Sequence, residues 1–254
     1  MEEIVYFKNL EGETLAGTLH LPAQPAPEGV IFGHCFTCSR HTSILRDTAT
    51  KLAERGIASL RFDFSGNGQS GGDFINTAYT RHIREMTQAQ RFLSDRGISR
   101  FGLAGHSMGA AVSILAGSRM ETVDGICAFS GRLGGLDPEG GFTSEQISEL
   151  RETGRVAFQS RGRRLELPGA FFEDAARYDI LQTIASLAPP LLIVHGDRDE
   201  IIPVWNARAA KARNDRATLE IIAGADHMYG DAALRDKVAA LAADWFRKCF
   251  DGPR

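Results

Sequence analysis

The sequence has few cysteines, no excess of positive charge and no long apolar run, and each of these absences excludes a class of protein. Four cysteines in 254 residues are too few and too scattered for the disulfide framework of a small secreted protein. A net charge of −3 provides no basic surface for nucleic acid. No apolar run approaches the ~18 residues of a membrane span. We therefore expect neither a nucleic-acid partner nor a membrane span.

The start of the chain also lacks the features of a secretory signal. The first residues, Met1–Ile4, are not basic, and the apolar stretch of a signal peptide does not follow them. The composition, with 43% hydrophobic and 24% charged residues, is that of an ordinary globular protein with a sizeable core. Because 254 residues fit within one α/β domain, we expect a cytoplasmic protein whose single domain covers residues 1–254.

Short apolar runs alternate with amphipathic segments along most of the chain. Ile4–Lys8 and Thr14–His20 are expected to pair as antiparallel strands. The later runs are apolar on both faces, which predicts an α/β fold: a mostly parallel twisted sheet with helices on both faces. These runs are Val30–Gly33, Ile57–Phe62, Ile98–Ala104, Val123–Phe129, Leu191–His195 and Leu219–Ala223. The helical patterns are Ser43–Arg55, Thr80–Arg96, Asn206–Arg213 and Leu234–Phe250.

One segment interrupts this alternation. About sixty residues separate the fourth and fifth of the parallel runs, which is too many for a single crossover helix. We expect a small cap insertion at about 132–180, with a helix at Ser144–Glu152 and a β-hairpin of Gly154–Gln159 and Arg163–Leu167. Its apolar residues either line a substrate pocket or hold the cap to the body. They are Phe142, Val156, Phe158, Leu165, Phe171 and Phe172, of which Phe142, Phe158 and Phe172 are the predicted substrate contacts.

The segment Gly105–Gly109 reads Gly-His-Ser-Met-Gly and lies between an apolar run and a helical segment. A Gly-x-Ser-x-Gly in that context is typical of a nucleophile elbow, a sharp turn that sets a serine hydroxyl at a helix N-terminus. We therefore predict that Ser107 is a nucleophile. His106 occupies the variable position, and we expect it to lie beside the site as a substrate-binding residue rather than to react.

A serine nucleophile needs a base, and the base needs a carboxylate that orients it. Behind such an elbow the partners follow in the order acid, then histidine. His227 follows the last apolar run and is the predicted base. Asp197 and Asp199 both follow the preceding run, so each is a candidate acid. All three positions lie just past a predicted strand, where open α/β sheets build their sites.

Taken together, these motifs resemble the α/β-hydrolase superfamily. The matching segments are Gly33–Phe36, Asp63–Ser70, Gly105–Gly109, Gly196–Asp199 and Gly224–His227. The resemblance implies that Asp199 is the acid and that Asp197 forms a turn through local amides. It also implies an oxyanion hole made of the backbone N–H groups of Phe36 and Met108.

More narrowly, His34–Ser39 (His-Cys-Phe-Thr-Cys-Ser) is similar to the hydrolase half of bacterial proteins that fuse this fold to an OsmC-type peroxidase domain. No second domain of that kind is expected here, because the chain ends after its final helix. Cys35 stands where relatives usually carry glycine, and cysteine tolerates a positive φ poorly. The conformation of this loop is therefore the point at which the chain departs from the family pattern.

Cys35 and Cys38 form a Cys-x-x-Cys, which in other proteins serves as a redox dithiol or as half of a zinc site. His34 and His41 are nearby, but no second Cys-x-x-Cys exists to complete a zinc site. We expect two thiols that pack in the loop, and no metal.

The sequence thus predicts a serine hydrolase that cleaves small-molecule carboxylic esters through an acyl-enzyme and needs no cofactor. The alternatives are a thioesterase or peptidase with the same triad, or a non-catalytic or redox partner module that uses the cysteine pair. The apolar cap and the final helix both offer contact faces for a homodimer.

Overall fold

The computed structural model describes residues 1–137 and 139–252. The strands of this part of the chain are β1 (Glu2–Lys8), β2 (Thr14–His20), β3 (Glu28–Gly33), β4 (Ala58–Phe62), β5 (Arg100–His106), β6 (Val123–Phe129), β7 (Arg155–Ser160), β8 (Arg163–Pro168), β9 (Leu191–Gly196) and β10 (Thr218–Ile222). The helices are α1 (Ser43–Glu54), α2 (Tyr79–Ser94), α3 (Met108–Gly117), α4 (Ser144–Thr153), α5 (Gly169–Ala175), α6 (Ile180–Ala185), α7 (Trp205–Arg213) and α8 (Ala232–Asp251).

Eight of the strands form one sheet in the order β1-β2-β4-β3-β5-β6-β9-β10. The pairs β1-β2 and β2-β4 are antiparallel, and every later neighbour pair is parallel. The predicted α/β-hydrolase fold, a mostly parallel sheet covered by helices, is confirmed. The sequence reveals this arrangement because a strand with helices on both faces must be apolar on both faces.

Helices cover both faces of the sheet and bury its central strands. Phe32 and Leu45 belong to the core on the side of α1 and α8, where Phe246 of α8 is also fully buried. Met86 and Leu103 belong to the core on the side of α2 and α3. Each fully buried side chain of this size stabilises the fold by roughly 1.5–3 kcal/mol. The sheet is therefore a stiff platform for the loops at its carboxyl edge.

The segment between β6 and β9, here called the insert (residues 132–180), forms α4, the hairpin β7-β8 and α5, with α6 beginning at its end. The predicted helix and hairpin are present, each within about a residue of its expected bounds. The short helices α5 and α6 were not predicted, since helices of seven and six residues carry too little periodicity. Among the described residues, every helix is too short or too polar to span a bilayer.

Candidate active site

Ser107 stands at a sharp turn between β5 and α3. Its backbone has φ 58° and ψ −114°, a conformation that residues other than glycine rarely adopt. The Ser107 N–H donates to the Phe129 carbonyl oxygen at 2.9 Å. The two neighbouring glycines are required because a side chain would not fit at either position. A Cβ at Gly105 would overlap the Gly109 carbonyl group, and a Cβ at Gly109 would overlap the Gly33 carbonyl group. The result is a strained turn with its serine at a helix N-terminus.

Asp199 and His227 follow β9 and β10, and the structure brings their side chains together. His227 Nδ1 lies 2.8 Å from Asp199 Oδ2. Both residues are buried, at 8% and 7% exposure. Since Nδ1 faces the carboxylate, Nε2 is the ring nitrogen left to accept a proton. This pairing is the geometry expected of a histidine base and its orienting acid.

The Asp199 carboxylate is held from several sides. Its Oδ1 accepts from the N–H groups of Ile201 at 3.0 Å and Ile202 at 2.8 Å. His195 Nε2 lies 3.3 Å from Oδ2 and 2.7 Å from the Ile202 carbonyl oxygen. Burial raises the pKa of Asp199, but the hydrogen bonds from His195, His227 and the Ile202 amide outweigh it, so the pKa lies well below its ordinary value. The carboxylate is therefore ionised at neutral pH.

Sequence reasoning missed the role of His195. It is fully buried at the end of β9 and reaches the same carboxylate oxygen as His227. The signal that could have found it is the spacing His-Gly-Asp-Arg-Asp in 195–199, which sets the histidine four residues before the acid at a strand end.

The expectation that His106 is a substrate-binding residue is wrong. Its ring is completely buried, and Nε2 donates to the His227 carbonyl oxygen at 2.7 Å. The two rings have centroids 4.8 Å apart. Because its ring contacts His227 and Tyr229 and does not line the cavity beside Ser107, His106 supports the loop that carries His227.

Tyr229 is a second support that the sequence did not reveal. It is fully buried with φ 53°, and its hydroxyl donates to the Val194 carbonyl oxygen at 3.0 Å. The Ser130 hydroxyl donates to the Tyr229 hydroxyl oxygen at 3.1 Å. The loop that carries His227 is thus fixed to the ends of β6 and β9.

Asp197 and Asp226, the other carboxylates near the site, face away from the His227 ring. Asp197 Oδ1 accepts from the Gly224 N–H at 2.7 Å, so it joins two loops rather than bonding local amides as expected. Asp226 Oδ1 accepts from the N–H groups of Met228 at 2.9 Å and Gly230 at 3.0 Å. Both aspartates are exposed and shape loops.

The backbone N–H groups of Phe36 and Met108 have no protein acceptor within the described residues. Phe36 belongs to the β3–α1 loop (His34–Thr42), and Met108 is the first residue of α3. Cys35 does not have a positive φ, because the described non-glycine residues with one are Ser107, Ser130, Arg161 and Tyr229. The loop thus accommodates cysteine in place of glycine. Two free donors beside a serine are what an oxyanion hole requires.

Buried polar contacts fix the β3–α1 loop to its neighbours. His34 Nδ1 lies 2.7 Å from the Cys35 carbonyl oxygen, and His34 Nε2 accepts from the Phe64 N–H at 3.0 Å. The Asp63 carboxylate accepts from the Arg40 N–H at 2.6 Å and also binds its guanidinium. The glycine-rich turn at 66–72 packs around this buried ion pair, since the Gln69 N–H donates to Asp63 Oδ2 at 2.9 Å, and its role is structural.

Cys35 and Cys38 form a disulfide, with Cα atoms 5.2 Å apart. The expectation of two packing thiols is wrong. Sequence spacing allows the bond but does not require it, since the turn of the loop brings the two side chains together. Zinc binding by this pair would require reduction first, and the described residues contain no group of three or more potential ligands for it.

A cavity of about 420 Å³ opens beside Ser107 and lies between the sheet edge and the insert. Phe142 and Phe158, two of the predicted substrate contacts, line it. Phe172 does not line it, and its ring instead packs against Phe142 and Phe171 at centroid distances of 5.8 and 5.4 Å. The full lining is Phe36, Tyr79, Ser107, Met108, Arg132, Asp137, Gly141, Phe142, Gln146, Phe158, Gln159, Leu167, Phe171, Ile201 and Ile202.

Five of the fifteen lining residues are aromatic. Phe36 stands at its centre, with ring centroids 5.9 Å from Phe158 and 5.4 Å from Phe171. The only charged side chains among the described lining residues are Arg132 and Asp137. A larger groove of about 820 Å³ lies at the opposite, amino end of β6 and β9, and none of the predicted site residues line it.

A family model described as the alpha/beta hydrolase family matches residues 30–241, a range that includes the elbow, both candidate acids and His227. The matches carry no support for the narrower resemblance to a fusion with an OsmC-type domain.

Curated relatives are 23–25% identical to the chain over the aligned residues. A provisionally named phosphoribosyl transferase of Mycobacterium tuberculosis is 25% identical over 92% of this chain and 44% of its own length, so the chain spans less than half of that relative. The mitochondrial palmitoyl-protein thioesterase ABHD10 of Rattus norvegicus is 25% identical over 59% of this chain and 51% of its own. A monoacylglycerol lipase of Mycolicibacterium smegmatis is 23% identical, over 72% and 74%.

Solved structures show a similar fold at lower identity. Est1E from Butyrivibrio proteoclasticus with bound ferulic acid has a TM-score of 0.84 and 21% identity, and covers 98% of this chain and 100% of its own. Mouse alpha/beta hydrolase domain-containing protein 10 has a TM-score of 0.77 and 21% identity, and covers 97% and 99%. At these identities the likeness is one of fold.

Proposed function

Since this chain belongs to the alpha/beta hydrolase family, we propose that it is a serine hydrolase that cleaves carboxylic esters through an acyl-enzyme. The observation that carries this proposal is the joint arrangement at the carboxyl edge of the sheet. A strained serine and two backbone N–H groups without a protein acceptor line one cavity, and a histidine paired with a buried carboxylate at 2.8 Å follows the strands at the same edge.

In the proposed first step, Ser107 Oγ attacks the ester carbonyl while His227 Nε2 takes its proton. The imidazolium that forms is stabilised by the ionised Asp199 carboxylate at Nδ1, which also keeps the ring in the required tautomer. His195, Ile201 and Ile202 hold that carboxylate in place. The lowered pKa of Asp199 means that it stays charged throughout the reaction.

The negative charge that develops on the carbonyl oxygen is held by the N–H groups of Phe36 and Met108. Such preorganised donors each contribute roughly 10²–10³ in rate. The tetrahedral intermediate collapses as His227 returns its proton to the leaving alcohol. Water, deprotonated by His227, then attacks the acyl-enzyme through the same steps and releases the acid.

The cavity supports an aromatic or medium-length apolar acyl group as substrate. Its walls carry Phe36, Phe142, Phe158 and Phe171, and aromatic rings bind other rings and methylene chains through large apolar contact areas. In this proposal the insert acts as a cap that completes the acyl site over Ser107. Small molecules are the partners, no cofactor takes part, and the protein works in the cytoplasm without nucleic acid.

A thioester is the second candidate bond, since the same machinery serves it. The observation that favours it is the 25% identity with a palmitoyl-protein thioesterase over 59% of this chain. Peptide-bond cleavage is a further hypothesis for the same machinery, with less support. A homodimer is a separate hypothesis, which concerns assembly rather than the bond that is cleaved.

The test uses a fluorophosphonate probe and a panel of 4-nitrophenyl esters, thioesters and anilides with matched acyl groups. We expect the probe to label Ser107, and Ser107→Ala to lose about 10⁶-fold in kcat, as removal of the serine does in subtilisin. Ser118→Ala, at the exposed end of α3, is the matched control and should keep both labelling and turnover. Retention of more than about a hundredth of the rate by Ser107→Ala would contradict the assignment.

A further inference from the structure

We propose that Cys35 and Cys38 form a reversible dithiol–disulfide site that sets the position of the Phe36 amide and thereby the rate of hydrolysis. The proposal rests on the hydrolase function proposed above. In the oxidised state the enzyme is fully active, and in the reduced state it is weakly active. The ligand of the site is a dithiol reductant.

The disulfide closes a turn around Phe36. Only Phe36 and Thr37 lie between the bonded cysteines, and the Cys38 N–H donates to the Cys35 carbonyl oxygen at 3.1 Å. The same Phe36 lines the cavity with Ser107, and its N–H has no protein acceptor in the described chain. A cross-link across so short a segment restricts the backbone dihedrals that aim this N–H.

Three consecutive residues of the turn also contact the hairpin β7-β8. The Phe36 ring stacks on Phe158 at 5.9 Å, and the Thr37 hydroxyl lies 2.7 Å from that of Ser160. At the hairpin tip, Arg161 Nη2 donates to Cys38 Sγ at 3.1 Å. Reduction of the cysteine pair therefore alters the position of both the Phe36 N–H, which is the proposed oxyanion donor, and the hairpin that covers the cavity.

The guanidinium of Arg161 makes Cys38 the better leaving group, because a nearby cation favours the thiolate. A thiolate of the reductant attacks Cys35 Sγ, the S–S bond breaks, and its electron pair leaves on Cys38 Sγ. The reductant's second thiolate then attacks the mixed disulfide and displaces Cys35, which takes up a proton. Two electrons pass to the protein, and the reductant leaves as a cyclic disulfide.

The other two cysteines have no such environment. Cys127 and Cys249 are free, and burial raises the pKa of Cys249 to about 11 and that of Cys127 well above its ordinary value. Cys127 is completely buried, whereas Cys35 and Cys38 keep 7% and 6% exposure. Among the described cysteines, the bonded pair is thus the one that brackets Phe36.

The experiment compares the protein oxidised with cyclic oxidised dithiothreitol and reduced with dithiothreitol, each after removal of the reagent. Thiol titration in denaturant should find two thiols in the oxidised form and four in the reduced form. For 4-nitrophenyl acetate, reduction should lower kcat about tenfold, part of the ~10²–10³ that a full oxyanion donor contributes. KM should change less than about threefold, and reoxidation should restore kcat.

The Cys35→Ser/Cys38→Ser variant should show the kcat of the reduced form and no response to dithiothreitol. Cys249→Ser is the matched control and should respond as the natural chain does. Backbone hydrogen exchange at 34–42 should rise on reduction, which reports the loop without relying on turnover. Equal kcat in the two redox forms, or four thiols after oxidation, would overturn the proposal.

Fluorophosphonate labelling separates this idea from the proposed function. Labelling of both forms at equal rates would overturn the redox switch and leave the hydrolase standing. Labelling of neither form would remove the hydrolase and with it the switch of activity, whereas faster hydrogen exchange would still identify a redox-dependent loop.

Discussion

The two regions that meet at Ser107 are held in place by different means. On one side, Ser107, Asp199 and His227 follow strands of a buried sheet, and backbone hydrogen bonds and buried histidines fix their loops. On the other side, the insert and the β3–α1 loop meet through aromatic rings and two side-chain hydrogen bonds.

In the proposed function, the sheet edge therefore carries out the chemical step and the insert selects the substrate. Rigid elements hold reacting groups within the narrow tolerance that catalysis requires, whereas packed surfaces adapt to the substrate. Changes at the sheet edge should therefore affect the chemical step for every substrate. Changes in the insert should alter which substrate reacts.

The largest effect is expected at the sheet edge, where the two candidate acids can be compared directly. Asp199→Asn should lower kcat about 10⁴-fold, because the amide no longer holds His227 in the required tautomer. Asp197→Asn, whose parent side chain bonds Gly224, should lower it less than about threefold. Steady-state kinetics on one ester measures both. The reverse order would exchange the roles of the two aspartates.

An intermediate effect is expected in the insert. Phe158→Ala should raise KM about tenfold for aromatic and long acyl esters and hardly change it for acetate, because it removes a wall of the cavity. Phe172→Ala is the control, since its ring packs behind that wall. It should lower the free energy of unfolding without altering the ratio of the two KM values. An equal loss for all substrates in Phe158→Ala would mean that this ring only supports the fold.

The smallest effect is expected on the pH dependence of stability, through buried histidines outside the insert. Burial lowers the pKa of His106 to about 3 and that of His34 to about 4. Because both values lie below the unfolded value of about 6.5, the unfolded chain binds more protons between these limits. The stability that neutral histidine provides is thus fully present above pH 6.5 and is lost as the pH falls.

Because each of these histidines stays neutral in the folded state, the free energy of unfolding should be lower at pH 5.5 than at pH 7.5 by roughly 1 kcal/mol per histidine. Urea unfolding at pH 7.5 and 5.5 measures the difference. His106→Gln should show a smaller decrease with acid than the natural chain. An unchanged pH dependence in that variant would mean that His106 does not carry the linkage.

Sequence reasoning reached the sheet more completely than the insert. The parallel strands could be recognised because burial on both faces leaves an unbroken apolar run, and strand ends predicted where Asp199 and His227 would lie. Two supports of the site could not be recognised, because His106 and Tyr229 act through contacts with residues far along the chain, and such contacts leave no local pattern. His195 contacts Asp199 and Ile202, which are close in sequence, so its spacing was a usable signal.

In the insert, nothing in the local pattern of residues distinguishes Phe171 from Phe172 as the cavity residue. They are adjacent in α5, and about 100° of helical rotation decides which ring faces the cavity. Likewise, the spacing of Cys35 and Cys38 permits a thiol pair, a metal site or a disulfide.

By itself the amino-acid sequence determined the α/β fold, the strained turn at Ser107 and the order of its partners, because these depend on local periodicity and on glycine at fixed positions. The tertiary structure alone decided that His106 packs against His227, that Phe171 rather than Phe172 lines the cavity, and that Cys35 is bonded to Cys38. Each of these depends on which side chains two distant segments bring within a few ångströms, and that is fixed only when the sheet edge, the loop and the insert pack together.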